Sequence, residues 1–146
     1  MLKQIKFTEE STNLIKENKK IQTRIPVGIS HQIYEKGDKL QIIYKNTSNT
    51  AEFMIEITDV FIKKLHDIKN LDLLGLGISI PFKLENIDEW FMKEASYKDK
   101  EKYKKIWDEM YKDTPFIWDR NPLVYIYHFE NDICKEYETD ILSFSN

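Results

Sequence analysis

The densest group of side chains able to do chemistry lies in one short segment, residues 19–24, with the sequence Lys-Lys-Ile-Gln-Thr-Arg. A lysine in an enclosed site, such as Lys20, can lose its proton through desolvation and act as a base or a nucleophile. Thr23 can position or activate a water molecule, while Gln22 and Arg24 can contact a nucleobase edge or a phosphate. The segment therefore favours either ligand binding or hydrolysis.

The two arginines are a second signal, because the other 20 of the 22 basic residues are lysines. In such a composition an arginine is expected where its planar fork of five donors matters. Arg24 and Arg120 are therefore candidate ligand-binding residues. The alternative for both is a structural ion pair or stacking on a tryptophan such as Trp118.

Other chemistries have little support. His31, His66 and His128 are scattered, so no metal site is expected. The single cysteine, Cys134, cannot form an internal disulfide, and its only cationic neighbour in the chain is Lys135. Phosphate-binding motifs of the GxxxxGK[ST] and GxGxxG types are missing. We expect no cofactor.

The composition bounds the class of protein. The 146 residues are 41% hydrophobic and 32% charged, which is typical of one globular domain. Membrane insertion and export are not expected, because the sequence has neither an apolar run of about 20 residues nor a signal peptide. We therefore expect a cytoplasmic protein. The net charge of −3 argues against sequence-blind binding to nucleic acid, although residues 1–64 carry +3 and could present a modest basic face.

Several elements can position the segment. Alternation over residues 21–25 places Ile21, Thr23 and Ile25 on one face of a strand, and Gln22 and Arg24 on the other. A loss of alternation after Ile57 predicts a bulge near Thr58 and Asp59. Strands are predicted over residues 2–7, 21–25, 40–44, 53–62 and 123–129, and helices over residues 9–18, 66–75, 84–94 and 99–112. This order predicts an α+β fold with a small curved or barrel-like sheet and helices at its ends.

Taken together, these segments resemble the ASCH domain family, which has a PUA-like fold. The family pattern places a G-K-K/x-T-Q-T-R segment after a helix, a G-D turn before a strand, and a strand ending in valine. Residues 18–24, 37–40 and 55–60 match these features. Its bacterial and phage members end in G-W-x-x-N-P-x-V-x-V-I-x-F-E, and residues 117–130 are similar. The resemblance implies one ASCH domain over residues 1–146, with a core at 1–130 and a polar C-terminal extension at 131–146.

The resemblance also implies a PUA-like β-barrel with a cleft lined by residues 20–24. Such domains are suspected of binding RNA or modified nucleobases. Some relatives look like amidohydrolases that deacetylate N4-acetylcytidine, using a lysine, a threonine three residues later and a glutamate. Lys20 and Thr23 match the first two, and Leu76 stands where the glutamate is expected. A complete catalytic set would require Asp72, Glu85 or Glu89 to supply a carboxylate.

The leading hypothesis is a module that binds RNA, single-stranded nucleic acid or a nucleotide. Lys20 would neutralise a phosphate, and the side chains at residues 22–24 would bond the ligand. Trp118 or Tyr44 would stack on a base, with Arg120 as a further contact. This hypothesis requires an open cleft with Arg24 exposed beside an aromatic ring.

Two alternatives remain open. An amidohydrolase would require a carboxylate within hydrogen-bond reach of Lys20 and Thr23. A protein-interaction domain would use residues 84–112 and would require a contiguous exposed apolar patch around Trp90.

Overall fold

Five strands form one curled, half-barrel sheet, onto which the helices pack. A computed structural model describes residues 3–30, 32–81 and 84–133. The strands are β1 (Lys3–Phe7), β2 (Gln22–Pro26), β3 (Lys39–Tyr44), β4 (Thr50–Lys64) and β5 (Leu123–Asn131). The helices are α1 (Glu9–Lys16), α2 (Asn70–Gly75), α3 (Ile87–Met92) and α4 (Tyr97–Tyr111), and a 3-10 turn spans Trp118–Arg120.

The strands are arranged in the order β1-β3-β4-β5-β2. β1 pairs with β3 in parallel, and the other three pairings are antiparallel. The predicted α+β class and curved, barrel-like sheet are therefore confirmed. Most of the predicted C-terminal extension, including Cys134, lies outside the described residues, as does His31. In the part of the chain that the structure covers, no helix has the length and apolar character needed to cross a membrane.

The predicted bulge in β4 is present. The pairing of β4 with β5 shifts between Ile57, opposite Phe129, and Asp59, opposite His128. One extra residue in β4 shifts the alternation of its side chains by one position, so that apolar residues on both sides of the bulge lie on the same face of the sheet. As a result Val60 lies beside Tyr127 on the same face as Ile57, while the polar Asp59 stays off that face.

Two apolar clusters stabilise the sheet. The first cluster packs α1 onto β1, β3 and β4, and includes Phe7, Ile15, Leu40, Ile57 and Tyr127. The second cluster packs α2, α4 and the 3-10 turn onto the other face of β5 and the connection after β4, and includes Leu65, Leu73, Trp107, Trp118 and Ile126. β5 serves both clusters because successive side chains point to opposite faces of a strand.

Two helices start at side chains that satisfy their free backbone N–H groups. The Thr8 hydroxyl accepts a hydrogen bond from the Ser11 N–H at 3.1 Å at the start of α1. Ser96 does the same for the Asp99 N–H at the start of α4, also at 3.1 Å. The helix predicted from residue 66 begins only at Asn70, because the Asp72 carboxylate accepts from the Lys69 N–H at 2.8 Å and fixes the first turn there.

Burial makes a testable difference along β4. Ile57 is fully buried and Ile62 is 57% exposed. Ile57→Ala should lower the free energy of unfolding by about 2–4 kcal/mol, because it leaves a cavity in the first cluster. Ile62→Ala is the matched control and should cost less than about 1 kcal/mol. Equal losses in urea denaturation would contradict this packing.

Candidate functional site

β2 divides residues 22–24 between its two faces, as the sequence predicts. Gln22 and Arg24 lie opposite His128 and Ile126 of β5 and point toward the second cluster. Thr23 lies opposite Tyr127 and points toward the first cluster. The side chains of the segment therefore do not line one common cleft.

Arg24 is enclosed by the protein. Its Nη1 donates to the backbone oxygens of Leu65, at 3.2 Å, and Asp67, at 3.0 Å. Its Nε donates to Gln22 Oε1 at 3.1 Å, and Nη2 lies 3.5 Å from Asp72 Oδ2. The side chain is 0% exposed, and burial lowers the pKa of Arg24, opposed chiefly by the charge of Asp72. The expected exposure of Arg24 beside an aromatic ring is therefore wrong.

Gln22 links Arg24 to two other groups. Because its Oε1 accepts from Arg24, its Nε2 must be the donor, and it donates to Asp72 Oδ1 at 3.1 Å. The same Nε2 lies 3.4 Å from His128 Nε2. That ring nitrogen must therefore be the acceptor, which leaves the proton of a neutral imidazole on Nδ1. Burial lowers the pKa of His128 and favours this neutral form.

The same network holds α2 against β2. Asp72 is in the first turn of α2, and the Gly75 carbonyl at its end accepts from the Ile21 N–H at 2.8 Å. A methyl group at Gly75 would lie 3.5 Å from Gln22 Cβ, so the helix approaches the strand closely. We name Gln22, Arg24 and Asp72 the buried polar network. Its contacts join β2 to α2, so the network has a structural role.

Lys20 lies on the other side, at the end of the first cluster. Its Nζ is 5.9 Å from the centre of the Phe7 ring. Desolvation by burial, with a contribution from the positive charge of Lys45, lowers the pKa of Lys20 from 10.5 to about 8. Among the residues that the structure describes, no carboxylate forms an ion pair with Lys20. Half of the Lys20 side chains are therefore uncharged near pH 8.

The turn after α2 helps to enclose Lys20. Gly77 adopts a φ of +86°, which a residue with a side chain rarely does. A Cβ at this position would lie 3.2 Å from Leu14 Cδ1 and 3.6 Å from Lys20 Cβ. The backbone of this turn therefore lies against the segment that carries Lys20.

A second lysine and two rings share this end of the sheet. The Lys45 N–H donates to the Phe7 carbonyl at 3.0 Å, and Lys45 Nζ donates to Met110 Sδ at 3.6 Å. Tyr44 is half-buried and lies opposite Phe7 in the β1–β3 pairing. Burial lowers the pKa of Lys45 as well. We name Lys20, Lys45, Phe7, Tyr44 and Met110 the lysine site. Apart from Tyr44, the residues that surround Lys20 there were not singled out by the sequence, since they come from distant segments.

The remaining predicted binding residues lie elsewhere. Trp118 is buried in the second cluster, with its ring centre 4.6 Å from that of His66, so its ring is not open to a base. Arg120 is exposed in the 3-10 turn, and none of its described contacts joins it to residues 20–24.

The predicted acidic positions do not complete a hydrolytic set beside Lys20. Leu76 is 3% exposed and belongs to the second cluster. Asp72 contacts Gln22, on the face of β2 opposite Thr23. Glu85 and Glu89 line a separate depression of about 500 Å³ together with Trp90. In the described ranges, no group of three or more acidic, histidine or cysteine side chains is arranged to hold a metal ion.

The aromatic residues of α3 and α4 are divided between the second cluster and the surface, where Tyr97 is 74% exposed. Trp107 is fully buried, and Trp90 is half-buried and packs against the second cluster.

The buried polar network can be tested with Asp72→Asn. An amide offers one acceptor atom instead of two, so either the Gln22 amide or the Lys69 N–H loses its acceptor, and the Arg24 charge loses its counterion. The free energy of unfolding should fall by about 2–4 kcal/mol. Asp119→Asn is the control, because Asp119 is 79% exposed and its ion pair with Lys104 is long, at 3.8 Å. This variant should lower the free energy of unfolding by less than about 1 kcal/mol. A neutral Asp72→Asn variant in thermal and urea unfolding would refute the structural role.

The lowered pKa of Lys20 can be measured by competitive acylation at a series of pH values, with peptides quantified by mass spectrometry. Only a neutral amine reacts, so labelling of Lys20 should rise with pH around a midpoint of about 8. Lys19 is the internal control for labelling of an exposed lysine, because its side chain is 68% exposed and pairs with Glu17. The same midpoint for both lysines would show that Lys20 is not desolvated.

Comparison with known proteins gives structural matches only. Neither the protein-family models nor the curated protein sequences match this chain. An ASCH domain structure from Lactobacillus crispatus JV V101 matches with a TM-score of 0.59 and 11% identity, over 89% of this chain and 79% of that one. A DUF984 protein from Enterococcus faecalis V583 matches with a TM-score of 0.59 and 15% identity, over 90% and 80%. The chain therefore has the fold of an ASCH domain.

Proposed function

We propose that this protein binds a nucleotide, or a short single-stranded segment of RNA or DNA, at the lysine site. The observation that carries the proposal is the partly buried ammonium of Lys20, which has a second lysine nearby and no carboxylate ion partner among the described residues. Burying a positive charge without a counterion is costly. A bound phosphate would supply the missing negative charge.

The rings of the site suit a nucleobase. Tyr44 is half-buried against the first cluster and is next to Lys45, so its ring is the candidate for stacking on a base while the phosphate contacts the lysines. Stacking of a base on an aromatic side chain contributes about 1–3 kcal/mol. Phe7 is 6% exposed and forms the floor instead. The net charge of −3 is compatible with one such pocket, whereas a long duplex would need a larger positive surface.

This proposal changes the roles expected for Gln22 and Arg24. Their polar atoms are largely taken up inside the buried polar network, so they position β2 and do not contact the ligand. Thr23 faces the same cluster as Phe7 and is a candidate contact for the ligand. Trp118 and Arg120 have no part in this site.

An amidohydrolase acting on N4-acetylcytidine-like nucleosides is the second candidate. One observation favours it: a lysine with a pKa of about 8 is substantially neutral near physiological pH and can act as a base or nucleophile. The carboxylate that this chemistry would need is not bonded to Lys20 or Thr23 in the described residues. We therefore place binding first.

A panel of nucleosides and nucleotides that includes N4-acetylcytidine tests the proposal. The wild-type protein should bind a nucleotide in calorimetry and thermal shift, without converting it in mass spectrometry. Lys20→Met should weaken binding by about tenfold or more, since it removes the charge and keeps the length of the side chain. Lys19→Met, at the exposed neighbouring position, should change the affinity less than about twofold.

The other outcomes are equally informative. Deacetylation that disappears in Lys20→Met would replace the binding proposal with the hydrolase. Equal binding by Lys20→Met and Lys19→Met would exclude the lysine site.

A further inference from the structure

We propose that the lysine site selects a phosphate monoester, which carries two negative charges, over a phosphodiester, which carries one. Its preferred ligand class would then be a nucleoside 5′-monophosphate or a terminal phosphate, and not the internal backbone of a nucleic acid. The inference rests on the proposed function, because it specifies the phosphate that this site takes.

The first support is the pattern of ion pairing among the lysines. Six lysines of the described ranges have a carboxylate partner: Lys3, Lys19, Lys93, Lys100, Lys102 and Lys104. Lys20 and Lys45 are among the twelve of the 18 described lysines without such a partner, and burial lowers the pKa of both. The neighbours of their ammonium groups are the Phe7 ring and Met110 Sδ, which are weak, neutral partners. The site therefore has two positive charges with no fixed counterion among the described residues.

The second support is the repulsion between these two charges. Burial is the larger cause of the lowered pKa of Lys20, and the positive charge of Lys45 adds to it. Coulombic energy between like charges grows as the surroundings lose water, so ligand binding increases this repulsion unless the ligand compensates it. A phosphodiester offsets one of the two charges. A monoester offsets both and leaves no excess charge in the site.

The charge states of the ligand and the site give the selectivity a characteristic dependence on pH. The second pKa of a phosphate monoester is about 6, so its second charge is lost below that pH. Lys20 loses its charge as the pH rises through about 8. Monoester affinity should therefore be highest between about pH 6 and pH 8 and fall on both sides. Diester affinity should fall only on the alkaline side.

The experiment compares three ligands that share one base. The best-binding 5′-mononucleotide is titrated into the full chain by calorimetry at pH 7, beside its phosphate methyl ester and its nucleoside. The monoester should bind about tenfold or more tightly than the methyl ester, since one charge-assisted contact is at stake. In Lys45→Gln this ratio should fall to about twofold or less.

Lys39→Gln is the matched control. Lys39 is exposed at the opposite end of the same strand, so the full selectivity should persist in this variant. Similar affinities for monoester and methyl ester, both above that of the nucleoside, would overturn the selectivity and leave phosphate binding intact. If the nucleoside and the nucleotide bind with equal affinity, or if none of the three ligands binds, the proposed function is overturned together with this inference.

Discussion

The buried guanidinium of Arg24 is the constraint on which the arrangement of this protein depends. A permanent positive charge away from water requires partners, and the fold provides hydrogen-bond acceptors for Nε and Nη1. Among the described residues Nη2 has no hydrogen-bond partner, and the carboxylate of Asp72, 3.5 Å away, balances its charge. The connection after β4 contributes two backbone carbonyls, β2 contributes Gln22, and α2 contributes Asp72. Satisfying one side chain thus fixes α2 against β2, and with it the Gly77 turn beside Lys20.

Two of the three cations in this six-residue segment, Arg24 and Lys20, have opposite environments. Arg24 donates to three acceptors and pairs with Asp72, whereas Lys20 lacks a carboxylate partner among the described residues. The alternation of β2 keeps the two environments apart, since Arg24 and Thr23 point to opposite faces. Each residue type suits its own environment, because the fork of arginine bonds several fixed oxygens at once, whereas lysine is a flexible point charge whose pKa responds readily to burial.

The sequence predicts the structural features that depend on a local pattern of residues. Alternation and capping predict the strands and α1 close to their observed positions, and the break in alternation after Ile57 predicts the bulge. It does not predict contacts between distant residues, such as the parallel pairing of β1 with β3 or the approach of Met110 to Lys45. The expectation of an exposed Arg24 fails because a scarce arginine is equally suited to a ligand and to a buried network. The fold that the residue motifs resemble is the one found, even though the identity to its structural matches is only 11–15%.

The sharing of β5 between the two clusters has a consequence for folding. Phe129 and Ile126 stand three positions apart on one strand, yet they pack into different clusters. Withdrawing either residue from its cluster displaces the backbone that holds the other, so we expect the described residues of the two clusters to unfold together. Any stabilisation gained at one end, including that from a ligand at Lys20, is transmitted to the global unfolding equilibrium of the whole domain.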